Sequence, residues 1–422
     1  MHSQSSWTAE GLQQEQKSRH IANKNRLNRE NRKMSNSVYK KNSRNGLICI
    51  YLGKRDFVDH VDHVDIVDGV IKVDTSELDG RKVFVQLACF FHYGKEDLDV
   101  ISLSFRKDIW IQHIQIYPPP ADDKPVITPM QDVLMKKAGE GSHPFTFNIP
   151  PNLPCSVSFL PAPWDKGKAC GVDFKIKAYI ANMADDPDEK IDKKETCQLI
   201  IRKIQFAPDM LLPGPEVNIC KQFMFSGKMI HLEASLQKEV YYHGDPIRVR
   251  VKITNQTKKV VKKIKISIDQ TVDVVLYSTD KYTKVVLCEE FRDQVNSQTT
   301  FEKDYIVTPL LANNKEKYGL ALDSRLKDED TNLASSTILQ TGTYKDVQSI
   351  LVSYKIKVNL MVVGAGVLGS LISSYVTAEI PLILMSPKPT GDVILDIRCR
   401  SSVSCIGPFY SYMTIDKLLI IY

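Results

Sequence analysis

This chain of 422 residues has few of the features that mark membrane, secreted or zinc-binding proteins. Its nine cysteines include no CxxC pair, so neither a disulfide framework nor a structural zinc site is indicated. Scattered thiols of this kind are typical of a reducing compartment. No apolar run reaches the ~18 residues that a membrane helix needs, and the N-terminus lacks the apolar core of a signal peptide. The sequence therefore predicts a cytoplasmic protein.

Catalytic motifs are also missing. There is no nucleophile elbow, no HExxH pair and no phosphate-binding loop, so we predict a binding protein without a cofactor and not an enzyme. Residues 56–68 contain aspartates at DxxD spacing and two histidines, but loop acids are common and no fixed ligand geometry is evident, so we expect no metal there. A net charge of +6 permits an anionic partner. Aromatic and basic residues do not alternate, so nucleic acid is not expected.

One motif matches a dinucleotide fingerprint in the wrong context. GAGVLG at residues 364–369 fits GxGxxG and follows an apolar strand. Only 53 residues follow it, too few for a nucleotide-binding domain, and no alternation of strands and helices precedes it. We therefore expect no dinucleotide, and we predict an apolar loop that contacts lipid or protein through Val367, Leu368, Leu371 and Ile372.

Short segments with a period of two dominate the chain, and we predict that they are half-buried β-strands. Four sets of apolar residues face inward in this interpretation: Val83, Val85, Leu87, Cys89 and Phe91; Ile247, Val249, Val251 and Ile253; Ile264, Ile266 and Ile268; and Ile356, Val358, Leu360 and Val362. Residues 103–117 are interpreted as a further strand pair. Strands that are wet on one face and buried on the other are typical of antiparallel β-sandwiches.

A single helix is predicted after Thr128, which is a suitable N-cap, and Pro129 suits its first turn. Lys136 and Lys137 end it, and Gly139 stops it. We expect the helix to bury an apolar stripe made of Met130, Val133 and Leu134.

The length favours two or three domains. Residues 206–217, FAPDMLLPGPEV, are rich in proline and predict a linker. We predict an all-β fold of two seven-stranded-type antiparallel β-sandwich domains, with one short helix in the first. The predicted division is a disordered extension at 1–34, an N-terminal sandwich at 35–205, a hinge at 206–215, a C-terminal sandwich at 216–389 and an atypical tail at 390–422.

Arg202 is the cation that we expect to be buried. In LIIRKIQF a period of two places it with Ile200, Ile204 and Phe206 on a face that we interpret as core. A buried guanidinium costs several kcal/mol unless carboxylates pair with it. The stretch 323–330 carries six charges, and it is either an ordinary solvated loop or a source of such carboxylates. We hypothesise a buried polar cluster of Asp56, Arg202, Asp323 and Asp330, with a more exposed cationic rim at Lys40, Lys41, Arg55 and Lys327.

In these residues and in several ordered motifs the chain resembles the arrestin family. The similarity covers about residues 35–389 and rests on YLGKRDFVDHVDHVD (51–65), YGKEDLDV (93–100), FRKD (105–108), LPCSV (153–157), CGVDF (170–174), IRKIQFAP (201–208), YYHGDPI (241–247) and LKDEDTNLASST (326–337). Residues 269–284 and 352–362 are more similar to visual arrestins of the cone type than to rod or non-visual types.

The resemblance implies a function and assigns further residues to it. The chain would bind a light-activated, phosphorylated opsin, a G-protein-coupled receptor, block G-protein coupling in the photoreceptor cell, and contact the disc or plasma membrane peripherally. The helix would pair with the first strand and with the C-terminal tail. Phosphate binding is implied for Lys40, Lys41, Arg55, Lys136, Lys137, Arg325 and Lys327, and insertion into the receptor for Glu96, Asp97, Leu98, Asp99 and Val100.

Some features depart from the family or leave alternatives open. Gln198 stands four residues before Arg202 where the family has a phosphate-contacting arginine, so a shallower phosphate dependence is expected. Residues 390–422 are not acidic and do not resemble the family's tail. The alternative function is a non-visual scaffold for receptor desensitisation and endocytosis. Solvation alone is an alternative explanation of the cationic rim, and the oligomeric state is not predicted.

Overall fold

The structure is a computed structural model that describes most of residues 38–386. The described ranges are 38–60, 63–93, 105–120, 126–160, 170–184, 189–205, 212–223, 227–275, 280–314, 317–324, 331–340, 348–364, 373–386 and the backbone of 418–420. The predicted extension at 1–34 lies outside them, as does all of the predicted tail except 418–420. No helix among these ranges is long and apolar enough to cross a membrane.

The N-terminal half is built from short strands and one helix. In chain order they are β1 (Tyr39–Asn42), β2 (Ile48–Leu52), β3 (Asp56–Asp59), β4 (Val67–Val73), β5 (Lys82–Tyr93), β6 (Phe105–Tyr117), α1 (Pro129–Ala138), β7 (Ser142–Phe147), β8 (Val157–Leu160), β9 (Cys170–Ala181) and β10 (Thr196–Gln205), with a 3-10 turn at Lys193–Glu195. One sheet has the order β1-β2-β4-β7. In the other, β9 pairs with β5, β8 and β10, β6 pairs with β5, and β3 pairs with β10. The inward faces of both sheets belong to one apolar core.

The C-terminal half repeats this plan. Its elements are β11 (Glu216–Gln222), β12 (Met229–Leu236), β13 (Val240–Tyr242), β14 (Ile247–Asn255), β15 (Val260–Val274), β16 (Asp280–Phe291), β17 (Thr299–Val307), a 3-10 turn (Leu311–Asn314), β18 (Leu320–Asp323), β19 (Ile338–Gln340), β20 (Ile350–Val363), β21 (Ser373–Met385) and β22 (Leu418–Ile420). The two sheets have the orders β11-β12-β14-β17 and β13-β21-β20-β15-β16, and β19 pairs with β22.

The all-β prediction with one short helix is confirmed for the described residues. The pairing is not wholly antiparallel, because β10 pairs in parallel with β3, and β13 with β21. The four predicted sets of inward residues are confirmed, since every member is almost completely buried. Residues 105–117 form one strand, β6, so the predicted strand pair is wrong for the part that is described. The predicted domain boundaries stay predictions.

Strand β18 crosses from one half of the molecule to the other. It belongs to the C-terminal half of the chain but pairs antiparallel with β8 in the N-terminal sheet, with Asp323 opposite Val157. Its other side is held by Gln270 of β15, whose side-chain amide donates to the Ala321 oxygen at 2.9 Å and accepts from the Ala321 nitrogen at 2.7 Å. Gln270 is fully buried. The segment that carries Asp323 is therefore fixed to both halves.

Helix α1 begins and ends where the sequence predicts, but it buries a different face. Thr128 is the N-cap and forms a capping box with Gln131. The predicted stripe is wrong for Met130 and Val133, which are 42% and 56% exposed. The buried positions are Gln131, Leu134 and Ala138. Gln131 is buried because its amide donates to the Phe145 oxygen at 2.7 Å and the Thr146 hydroxyl at 2.9 Å.

The segment with the dinucleotide-like motif joins two antiparallel strands. Strand β20 ends at Val363 and β21 begins at Ser373, and these two residues are opposite each other in the ladder. A dinucleotide fingerprint needs a helix after the strand, so the flanking structure favours the loop that the sequence predicts. The residues predicted to form its apolar edge, Val367, Leu368, Leu371 and Ile372, lie outside the described residues.

Candidate functional site

Arg202 meets Asp56 across two parallel strands. Strand β10 pairs with β3 in a register that places the two residues opposite each other. The guanidinium donates from Nε to Asp56 Oδ1 at 2.7 Å and from Nη2 to Oδ2 at 2.8 Å. The side chains of Arg202 and Asp56 are 10% and 25% exposed. This is a bidentate pair, the geometry in which an arginine binds a carboxylate best.

A third donor of Arg202 reaches the C-terminal half of the chain. Its Nη1 donates to the Ser324 carbonyl oxygen at 3.0 Å, and Ser324 directly follows β18. A cavity of about 40 Å³ lies beside this contact and is lined by both halves of the chain, including Arg202 and Asp323. Arg202 thus joins β3 of the N-terminal sheet to the segment that crosses from the C-terminal half.

Asp323 lies in the same cluster with its own partners. The Ser335 backbone nitrogen donates to its Oδ1 at 3.0 Å, and the Ser386 hydroxyl donates to its Oδ2 at 3.3 Å. His243 Nε2 lies 3.7 Å from the same Oδ2. Burial raises the pKa of Asp323 to about 6, although the Ser335 amide and the charge of Arg202 act in the opposite direction. Asp330, the remaining predicted acid, lies outside the described residues.

A second buried ion pair stands behind the first and was not predicted. Lys203 Nζ lies 2.5 Å from Asp59 Oδ2, and the two side chains are 1% and 4% exposed. The same ammonium donates to the Leu153 oxygen at 2.7 Å. Lys203 is on the same face of β10 as Ile201, which is fully buried.

The face assigned to the core of β10 was therefore wrong. Ile201 and Lys203 are more deeply buried than Ile200 and Ile204, which are half-buried. Arg202 is nevertheless buried, because β3 and the segment after β18 cover its own side of the strand. Phe206 lies outside the described residues.

The predicted cationic rim is only partly described. Lys40 is exposed, and its contact with Tyr51 raises the pKa of Lys40. Arg55 Nε donates to the Ile200 oxygen at 2.9 Å, so this residue is tied to β10. Lys41 is exposed and follows Lys40 on β1, so the two side chains leave opposite faces of the strand.

The other predicted cations are more scattered. Lys136 pairs with Asp132 of its own helix at 2.5 Å. Lys137 is exposed near the end of α1. Arg325 and Lys327 lie outside the described residues, as do the predicted insertion residues Glu96, Asp97, Leu98, Asp99 and Val100. Gln198 is exposed on β10.

The acids at DxxD spacing serve separate contacts. Asp59 pairs with Lys203, and Asp65 pairs with Lys54 at 2.6 Å and lies 3.0 Å from His60. Within the described ranges, no group of three or more His, Cys, Asp or Glu side chains is arranged to hold a metal ion. The cysteines in the described ranges are free thiols, and they are Cys49, Cys89, Cys155, Cys170, Cys197, Cys220 and Cys288.

Comparisons with known proteins agree with this architecture. Residues 48–207 match the model of the arrestin (or S-antigen) N-terminal domain, and residues 226–389 match the arrestin (or S-antigen) C-terminal domain. The chain belongs to the arrestin family. It is 56% identical over 372 residues to Arrestin-C of Lithobates pipiens, covering 87% of this chain and 95% of that protein.

Other relatives carry the same name. The chain is 53% identical to Arrestin-C of Bos taurus over 356 residues and 49% identical to Arrestin-C of Homo sapiens over 356 residues, in each case 84% of this chain and 91% of the relative. The predicted family is confirmed, and the relatives' names agree with the predicted cone type. Arrestins are non-enzymatic receptor-binding adaptors, which confirms that the chain is not an enzyme.

Proposed function

We propose that this arrestin binds a light-activated, phosphorylated opsin in the photoreceptor cell and blocks G-protein coupling, which ends the signal. Membership of the arrestin family supports receptor binding, and the identity of 49–56% to proteins named Arrestin-C supports a visual role. The observation that carries the mechanism is the buried bidentate contact between Arg202 and Asp56.

The proposed trigger is competition between a phosphate and Asp56 for Arg202. A receptor phosphate carries about −1.5 to −2 charges and three acceptor oxygens, so it rivals a single carboxylate. In this proposal the phosphorylated segment is attracted first by the cations of the predicted phosphate-binding set, which are Lys40, Lys41, Arg55, Lys136, Lys137, Arg325 and Lys327. Transfer of Arg202 to the phosphate leaves Asp56 without its partner and also removes the donor from the Ser324 carbonyl. The contact between the two halves of the chain is then weakened.

In this proposal, the free energy needed to break the Arg202–Asp56 pair is large enough to hold the protein in one of two states. Removal of one partner from a buried ion pair costs roughly 3–5 kcal/mol. Because Asp56 is one-quarter exposed, we expect the lower end of that range. Such a bias changes the ratio of two states by about two decades. The receptor would then take up the predicted insertion residues Glu96, Asp97, Leu98, Asp99 and Val100. The lipid of the disc or plasma membrane would be contacted by the predicted apolar edge, Val367, Leu368, Leu371 and Ile372.

The test is Arg202→Glu, measured by binding to light-activated opsin with and without phosphorylation. The substitution replaces attraction to Asp56 by repulsion, so we expect binding to unphosphorylated, activated opsin to rise at least tenfold. Arg250→Glu is the matched control, because Arg250 is an exposed strand arginine that pairs with Glu302 on the surface. The proposal is wrong if Arg202→Glu stays folded and still requires phosphorylation as the unsubstituted protein does.

A further inference from the structure

The polar contacts of Arg202 continue beyond Ser324 to the neighbouring strand β9. Ser324 is 2% exposed. Its carbonyl oxygen accepts from Arg202, and its hydroxyl donates to Asp173 Oδ1 at 2.9 Å. One residue therefore joins the guanidinium on β10 to a carboxylate on β9.

Asp173 also faces a side chain on the next strand. Its Oδ2 lies 3.0 Å from Nε2 of His92, which is an ion-pair distance without the alignment of a hydrogen bond. The side chains of Asp173 and His92 are 22% and 24% exposed. Strand β5 pairs with β9 so that His92 is opposite Gly171. A Cβ atom at residue 171 would lie 2.7 Å from His92 Nε2. Glycine at this position thus leaves the space in which the imidazole approaches Asp173.

The contacts form one continuous series across four strands and the segment after β18. In order they join Asp56, Arg202, Ser324, Asp173 and His92. His92 is the penultimate residue of β5, and the residues predicted to enter the receptor begin four positions later, at Glu96. The series therefore starts at the proposed phosphate trigger and ends beside the proposed insertion segment.

We propose that Ser324, Asp173 and His92 are positioning residues that transmit the state of Arg202 to the end of β5. This inference rests on the proposed function for its biological role, but the physical coupling is independent of the receptor. While Arg202 holds the Ser324 carbonyl, the Ser324 hydroxyl is fixed on Asp173, and Asp173 keeps one oxygen directed at His92. Departure of Arg202 frees Ser324, so Asp173 and the last residues of β5 become more mobile.

The first experiment measures backbone amide exchange of His92 and Tyr93 in the full chain without any receptor. Ser324→Ala removes the hydroxyl that joins Arg202 to Asp173 and leaves the Arg202–Asp56 pair in place. We expect exchange at the end of β5 to accelerate about fivefold, the effect of losing one ordinary hydrogen bond. Asp173→Asn and Arg202→Glu are expected to act in the same direction. Thr283→Ala, which removes a hydroxyl paired with Thr271 on β15, is the control and should leave this exchange unchanged.

Substitutions of His92 separate a polar contact from simple packing. His92→Phe keeps an aromatic ring but loses the nitrogen that faces Asp173, so it should accelerate exchange at Tyr93 as Ser324→Ala does. His92→Arg supplies a guanidinium that can pair with Asp173 and should remain close to the unsubstituted chain. Equal exchange in both variants would overturn the assignment of His92. Thermal unfolding of every variant identifies any that fail to fold, and Asp173→Asn, which preserves side-chain shape, then decides the case.

The second experiment measures binding to activated, unphosphorylated opsin. We expect Ser324→Ala to raise it severalfold, but less than Arg202→Glu does. The coupling is disproved if Arg202→Glu and Ser324→Ala leave exchange at the end of β5 unchanged. If exchange accelerates in both variants while neither changes opsin binding, the coupling stands and the proposed phosphate trigger is wrong.

Discussion

Two neighbouring cations on β10 enter two different ion pairs on opposite sides of the strand. Arg202 and Lys203 are adjacent, so their side chains alternate across the sheet. Asp56 and Asp59 are three positions apart on the parallel strand β3 and also leave opposite faces. The same pair of strands therefore forms one ion pair towards the segment after β18 and another towards the interior of the N-terminal sandwich. Both ion pairs therefore tie β3 to β10.

Lys203→Met should destabilise the protein far more than a surface lysine does. The substitution removes the ammonium that pairs with Asp59 in a buried site, and removal of one partner from a buried ion pair costs roughly 3–5 kcal/mol of unfolding free energy. Urea denaturation measures the loss. Lys252→Met is the control, because Lys252 pairs with Glu233 at an exposed site and should change stability by about 1 kcal/mol or less. The double variant Lys203→Met/Asp59→Leu should recover most of the stability. Equal losses from Lys203→Met and Lys252→Met would contradict this account.

Asp323 gives a pH dependence of known sign. Its pKa is raised to about 6 by burial, whereas the unfolded chain has the ordinary value near 4. Between these values the folded state binds more protons, so the unfolding free energy decreases as pH rises through that window. Asp323→Asn removes this loss. Its stability relative to the unsubstituted protein should therefore grow by roughly 2–3 kcal/mol between about pH 4 and pH 6.5.

Comparing Asp323→Asn with the unsubstituted protein separates the titration of Asp323 from that of its neighbour His243. Burial lowers the pKa of His243 to about 4, which gives the opposite dependence, since stability is lost as pH falls below the ordinary histidine value near 6.5. His243 is present in both proteins, so its contribution cancels to first order. Urea denaturation at a series of pH values measures the difference, and a difference that does not vary with pH would show that Asp323 does not titrate in this window.

At the scale of elements, β18 is held by side-chain contacts as well as by backbone pairing. Four residues pair with β8 on one side. On the other side, Gln270 binds Ala321, and Leu322 forms an antiparallel bridge with Leu333. The Gln270 amide also donates to the Tyr354 hydroxyl at 2.7 Å, and that hydroxyl donates to the Ala334 oxygen at 2.5 Å. A buried amide network thus holds the segment that presents Asp323 and Ser324.

Gln270→Leu tests this anchor. Leucine has a similar volume but leaves the Ala321 nitrogen without its partner in a buried site, which costs about 1–3 kcal/mol. The Ala321 oxygen keeps the Ala334 nitrogen as a donor at 3.0 Å. We expect a loss of about 1–3 kcal/mol in unfolding free energy. Gln112→Leu is the control, because Gln112 is an exposed glutamine on β6. If the two substitutions have equal effects in thermal or urea unfolding, β18 does not depend on Gln270.

At the scale of the whole molecule, the sequence predicts regular strands well and distant pairings poorly. Strict alternation in β14 and β20 predicted the buried face correctly, because one side of each strand is wet. The same rule failed on β10, where both faces are covered. The apolar stripe predicted for α1 is wrong because the polar residue Gln131 occupies a buried position of the helix.

The candidate site was predictable in its chemistry more than in its geometry. A buried arginine requires a carboxylate, and Asp56 lies where that requirement indicates. No local pattern shows that β3 and β10 pair in parallel, so Lys203 and its partner Asp59 were missed. Ser324 was missed for a similar reason, since its role depends on the crossing of β18 into the other half.

The crossing of β18 predicts a response of the whole molecule to phosphate. Arg202 connects β3 to the segment after β18, so a phosphorylated peptide that takes Arg202 should loosen that segment. Hydrogen exchange should accelerate in residues 320–324 and 157–160 when such a peptide binds, and the unphosphorylated peptide should have no effect. Arg202→Glu should show the faster exchange without any peptide. High salt should weaken the response, because it screens the exposed cations that attract the phosphates. If the phosphorylated peptide binds but exchange in both segments stays unchanged, release of Arg202 does not open the contact between the two halves.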